Sequence, residues 1–311
     1  MNEGSRTTKS VVLRALIGDI IIAILKYVAA FVSLSSSMLA EAIHSTSDST
    51  DQFLLLIGYN LSEKRDRAKF PFGRGREQFF WSFVVAMLVF GISGIMTLVE
   101  GYIKLFTVYS IKDPVIVYSV FALSVVVDGY VLSISVAAFA SRYKSQGYTN
   151  LRSFVEDFRD PTLLTAMVED LGAIVGVLVA LTGVTLSYVF HSTKFDAISA
   201  IVIGLIMMTS GLYLAKESKD LLIGEGISPR DQKKIESILK SNTSINKVLD
   251  IRSIYQAPES VLLVMDLNFR DGLSTEEIEN AIDQIEKDIR DKIPSVSRIY
   301  IEAEEIKGNI R

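Results

Sequence analysis

The chain has 311 residues, 49% of them hydrophobic, and a mean hydropathy of +0.35, too apolar for one ordinary soluble domain. A net charge of -4 and a pI near 5.4 argue against nucleic acid as a partner. With no cysteine there is no disulfide framework, thiolate metal site or cysteine nucleophile, and redox chemistry does not set the compartment.

The apolar residues fill positions 10–220, and the sequence beyond is strongly charged. The opening MNEGSRTTKSVVLRALIGD has no small-residue cleavage motif after its first apolar run, so that run reads as a retained span, not a signal peptide. Six stretches approach or exceed the roughly 20 residues that cross a bilayer. They lie near 11–34, 37–61, 79–106, 114–141, 161–187 and 195–217.

In the first span, Asp19 and Lys26 are seven apart on one face, which favours mutual or interhelical pairing. The second contains AEAIHSTSD. His44 and Asp48, one helical turn apart, project from one face, and Asp51 can share it. An imidazole and a carboxylate in hydrocarbon are costly unless they meet water, a cation or each other, so the stretch reads as an intramembrane metal site. Asp51 is read either as an interfacial or Ser/Thr-bonded carboxylate or as a further ligand. Glu100 and Lys104, near the end of the third span, fit a helix-surface ion pair or snorkelling. Asp128 is isolated in the fourth. Glu169 and Asp170 are the only charges of the fifth, and adjacent residues diverge by about 100° around a helix. Both reach one ion only if it sits between them; otherwise one binds and the other orients a ligand or pairs with a lysine. His191 reads as a solvated loop residue.

SLSSS, the brief gap between spans three and four, and HSTKF lie on one side, which offers only Lys104, Lys112 and Lys194. The other side carries Lys64, Arg65, Arg67, Lys69, Arg74 and Arg76 in one loop and Arg142, Lys144, Arg152 and Arg159 in another. The positive-inside rule then makes both termini cytoplasmic. After Glu225, PRDQKKIESILKSN reads as an amphipathic helix with Pro229 in its first turn. VLDIRSIYQA and SVLLVMDLNFRD read as strands joined at Pro258–Glu259, and SVSRIYIEAEE as a third. STEEIENAIDQIEKDIRDKI is a second helix, with Ser274 and Glu277 as a capping box. The order αββαβ predicts a small ferredoxin-like α/β sandwich, suited to regulation or dimerisation. The fold class expected is thus an α-helical membrane protein: an N-terminus (1–10), six transmembrane helices (11–220) and a cytoplasmic ferredoxin-like domain (221–311).

With these residues in view, the chain resembles the cation diffusion facilitator family of divalent-metal transporters. The resemblance rests on six spans, His44 and Asp48 as an HxxxD pair, an acidic site in span five, FPFGRGRE before span three, and the C-terminal domain. Family members usually carry a second such pair in span five. Matching DLGAIVGV to it puts Asp170 at the Asp and Ala166 where a His or Asp would stand, so Glu169 becomes the substitute. The subgroup that includes the mammalian zinc transporter 9 shares AEAIHS and an ED pair. Many relatives have histidines at the positions of Phe70 and Arg74, so no metal is expected there. Their C-terminal domains also bind metal through histidines. This one has none, and Asp250, Asp266, Glu302 and Glu304 are read as solvated carboxylates or as substitute ligands.

The resemblance implies a homodimer in the cell membrane, with no catalytic residue or bound cofactor. It would export a divalent cation, zinc first and manganese or iron(II) next, in exchange for protons through His44, Asp48, Glu169 and Asp170. The alternatives are a non-transporting metal sensor or scaffold and a membrane metal hydrolase, for which no HExxH motif occurs. A charge interlock is also expected between Arg74 or Arg76 and Asp220 or Glu225.

Overall fold

The computed structural model describes residues 3–64, 66–107, 114–145 and 148–305; Arg65 and Lys112 of the charge count lie outside them. The chain forms two units. One comprises Met1–Leu61, Glu77–Glu156 and Pro161–Lys219, and the other Ser62–Arg76, Asp157–Asp160 and Asp220–Arg311.

The first unit is helical: α1 (Glu3–Ser33), α2 (Ser36–Ser62), α3 (Glu77–Leu88), a π-helical segment (Val89–Gly94), α4 (Ile95–Phe106), α5 (Pro114–Ser145), α6 (Leu151–Glu156), α7 (Pro161–Val189) and α8 (Lys194–Ile223), the last running on into the second unit. Among the described residues, five segments are long and apolar enough to cross a membrane: Leu16–Ser33, Glu77–Phe106, Val115–Lys144, Pro161–Val189 and Lys194–Ile223. The sequence predicts six. The difference is α2, which has the length, 27 residues, but carries Glu41, Asp48 and Asp51 in a short stretch. Helix α6 is not foreseen. It is anchored by Phe154, fully buried and edge-on to Phe139, Tyr143 and Tyr148 with ring centroids 4.9–5.4 Å apart.

The core of this unit joins Ala29 and Ala30 of α1, Met38 and Ala40 of α2, Val117 and Phe121 of α5, Val177 and Ala180 of α7, and Ile203 and Met207 of α8. Phe31, Val115, Val126 and Tyr130 point outward, as a hydrocarbon environment demands. At one end, Asp196 of α8 caps α2. Its carboxylate accepts from the Ser36 N–H at 2.6 Å, the Ser37 N–H at 3.2 Å, and the Ser35 and Ser36 hydroxyls at 2.8 Å, and Ser37 Oγ bonds it as well. The SLSSS and HSTKF connections therefore share one end of the unit. Leu34 turns the chain there with φ 60°, a region unfavourable to a side-chain-bearing residue, so tertiary contacts hold it.

The second unit contains α9 (Pro229–Ser241), β1 (Ile245–Ala257), β2 (Ser260–Phe269), α10 (Thr275–Lys292) and β3 (Val296–Ala303), in the predicted αββαβ order. The sheet order is β1-β2-β3, with β1/β2 antiparallel and β2/β3 parallel. Alternate residues of β2, namely Val261, Leu263, Met265 and Leu267, are fully buried, as are Ile235 of α9 and Ile285 and Ile289 of α10. Ser274 caps α10, and Glu277 closes the capping box. The Ser274 N–H and hydroxyl hold the Glu277 carboxyl below its ordinary value. Its contribution is therefore present at neutral pH and lost as pH falls through that lowered value.

The loop before α3 packs on the sheet. Gly73 turns it at φ +92°, which glycine adopts without strain. Phe72 lies under the Arg298 guanidinium, 5.2 Å from the ring centroid. Gly75 approaches so closely that a Cβ would collide with the Gln256 carbonyl and Ala257. Arg76 Nε donates to the Tyr255 carbonyl at 3.5 Å, and Arg74 stacks on Phe70 at 4.7 Å. Glu225, one of the acids expected in a charge interlock, stands 2.7 Å from Arg159, whose side chain is 12% exposed. Local charge spacing cannot show which loop supplies the partner. A pair this shielded is worth more than an exposed one, about 1–3 kcal/mol. Arg159→Glu should lower the melting temperature of the full chain in detergent, and adding Glu225→Arg should recover most of the loss. No recovery would mean that the pair contributes nothing.

Candidate metal site

Helix α2 buries an unusual run of polar groups: Ser36, Ser37, Glu41, His44, Ser45, Ser47, Ser49 and Asp51. In an apolar setting each must find a partner. The helical spacing puts His44 Nδ1 3.2 Å from Asp48 Oδ1, within ion-pair distance but off the axis of a well-aligned hydrogen bond. The opposite edge of the ring lies against α7, where a Cβ at Gly172 would stand 3.6 Å from Nε2 and one at Gly176 3.6 Å from Cδ2. At both glycines a Cβ would only touch the imidazole at ordinary van der Waals distance; at Gly176 it would instead collide with Glu41 Oε1. Gly58 similarly admits Trp81 of α3, to which a Cβ would come within 2.7 Å.

Each predicted carboxylate has its own local partner. Glu169 is hydrogen-bonded to Asp51, which also accepts from Ser47 Oγ at 3.2 Å. Two carboxyls can bond each other only when one of them carries a proton. Asp170 accepts from Ser135 Oγ of α5. Asp48 stands within electrostatic reach of Asp51, Glu169 and Asp170. Among the described residues, however, no three His, Asp or Glu groups converge into one ligand set. The structure thus brings His44 to Asp48 and Asp51 to Glu169, and gives Asp170 a hydroxyl.

Sequence reasoning passed over Glu41. It is fully buried one turn before His44, with Oε2 3.0 Å from Lys26 Nζ. The available signal was a pair of opposite charges, Lys26 and Glu41, on consecutive spans. Lys26 also lies 3.8 Å from Asp128, the carboxylate isolated in its own span. Asp19 accepts from Gln52 at 2.5 Å, so of the two pairings open to Asp19 and Lys26 the interhelical one is realised. In the second unit the register sets Asp250, Asp266 and Glu302 side by side across three strands, with Arg252 2.6 Å from Asp250. Like charges so placed repel, and Arg252 offsets part of that cost.

Residues 12–223 match the family model of the cation efflux transmembrane domain, and residues 227–306 that of the cation efflux protein cytoplasmic domain. The chain is 25% identical over 245 residues to Metal tolerance protein C4 of Arabidopsis thaliana, covering 79% of this chain and 53% of that one. It is 24% identical over 228 residues to the human mitochondrial proton-coupled zinc antiporter SLC30A9, covering 73% and 40%. The chain thus spans about half the length of these relatives. It is 22% identical over 305 residues to the manganese efflux system protein MneP of Bacillus subtilis, covering 96% and 97%. A solved structure of the MamM CTD in a nickel form is 14% identical at a TM-score of 0.24, covering 26% of this chain and 100% of that one.

Proposed function

Because the chain belongs to the cation efflux, or cation diffusion facilitator, family, which is one of transporters and not enzymes, we propose that it moves a divalent cation across a bilayer in exchange for protons. The observation that supports this reading is that His44 of α2 touches α7 at Gly172 and Gly176 while standing 3.2 Å from Asp48, which in turn acts electrostatically on Glu169 and Asp170 of α7. His44, Asp48, Glu169 and Asp170 are the proposed ligands, used in the course of transport and not all at once. Helix α2 serves as a sixth span, its charges tolerated because they face the interior.

The chemistry follows from the donor set. An imidazole and carboxylates bind a metal deprotonated and bind protons otherwise, so cation and protons compete for one site. An arriving cation would displace any proton held between Asp51 and Glu169. One nitrogen with several oxygens suits zinc, and also manganese or iron(II) with added water. The relatives act on zinc and manganese by name, which supports the same order here. We read residues 11–220 as the membrane domain and 221–311 as a ferredoxin-like dimerising module, with both termini cytoplasmic in the cell membrane. Calorimetry of zinc binding in buffers of different ionisation enthalpy tests the exchange. Binding should release protons, and Glu169→Gln should reduce both the release and, by roughly 10–100-fold, the affinity. Binding without proton release would contradict the proposal, and unchanged affinity would leave Glu169 a structural partner of Asp51.

A further inference from the structure

Lys26 lies on α1 with no solvent exposure, ringed by acceptors from two other helices. Glu41 Oε2 is 3.0 Å away and Ser45 Oγ 2.8 Å, both on α2; Asp128 Oδ2 of α5 is 3.8 Å away. Glu41 is just as enclosed, and its other oxygen, Oε1, has no hydrogen-bond partner. That oxygen faces α7 at Gly176, where an added Cβ would collide with it and meet the His44 ring as well. Asp128 Oδ2, beyond hydrogen-bond distance of Lys26, is also without a partner. Two carboxylates and a hydroxyl around one ammonium make an oxygen-lined cavity whose negative charge exceeds that of its occupant, with an unused oxygen turned toward the candidate site.

We propose that Glu41, Asp128 and Ser45 form a second cation-binding position beside the transport site, and that the Lys26 ammonium is its built-in occupant. The chain's own cation bridges α1, α2 and α5 and withholds Glu41 from the transported ion. Without the lysine, the same oxygens take a solute cation in its place. Carboxylate and hydroxyl donors suit a hard divalent ion such as Mn²⁺. The place of this position beside the transport site, and the withholding of Glu41 from the transported ion, rest on the reading of His44 and Asp48 given above; the cation position itself does not.

The test is the number of Mn²⁺ ions bound per protomer of the purified full-length protein, measured by the resonance signal of free Mn²⁺. Lys26→Met should bind one more ion than wild type. Lys26→Arg, which keeps a cation in place, should not, and Lys26→Met with Glu41→Gln should return to the wild-type number. An unchanged number in Lys26→Met, or an extra ion that survives Glu41→Gln, overturns the proposal. If Lys26→Met alone is not recovered folded, the charge-balanced Lys26→Met/Glu41→Gln chain must be, since it removes the uncompensated carboxylate; a double variant as poorly folded as the single also overturns it. Asp48→Ala separates the two readings. In the Lys26→Met background it should remove one ion and leave the extra one. If Asp48→Ala removes none while the extra ion persists, the transport-site reading fails and this proposal stands.

Discussion

Asp48→Ala is expected to abolish metal flux in sealed proteoliposomes, to less than about a hundredth of wild type, a greater loss than removal of a supporting group causes. Asp48 is the one carboxylate that acts electrostatically on Asp19, Asp51, Asp128, Glu169 and Asp170, and it stands 3.2 Å from His44 Nδ1. Losing it takes away both a proposed anionic ligand and the ion-pair partner of the imidazole. Stability should suffer little, because the substitution removes one negative charge from a region crowded with them. The variant should therefore elute from a sizing column as wild type does while transporting nothing. Flux at the wild-type rate would remove Asp48 from the site.

Asp196→Ala should instead destroy the fold around α2. The carboxylate is fully buried and takes hydrogen bonds from two backbone N–H groups and three serine hydroxyls at the start of that helix. The bonds satisfy N–H groups at the start of the helix, where the helix dipole adds to the attraction. Orphaning several buried donors costs about 1–3 kcal/mol each, so the total is on the order of 3 kcal/mol or more. The check is thermal unfolding in detergent, where the variant should melt well below wild type. Asp196→Asn, which keeps an acceptor, should fall between the two. A variant that melts with wild type would mean that water or a neighbouring group replaces the cap.

What could be read from the sequence was what depends on local spacing. His44 and Asp48 meet because four residues make one turn, and Ser274 caps α10 because Glu277 follows three residues later. The strands of the second unit alternate visibly because one face of β2 is buried. Partners chosen by packing were invisible. Lys26 faces Glu41 and Asp128, and Glu225 faces Arg159, across elements that are distant in sequence. Gly75 carries no signal that the Gln256 carbonyl will lie against it. The same limit applied at the candidate site: two helices carrying buried acidic groups were legible, but not the pairing of Glu169 with Asp51 or of Asp170 with Ser135.

Proton-coupled transport of a divalent cation is tested most directly by flux into proteoliposomes of the wild-type chain, with zinc, manganese, iron(II) and cobalt each presented at two imposed pH gradients. Saturable uptake, led by zinc and rising with the gradient, is the result expected of a site where metal and protons compete. Sealed vesicles that bind metal without moving it, or that move it at a rate indifferent to the gradient, would contradict the account.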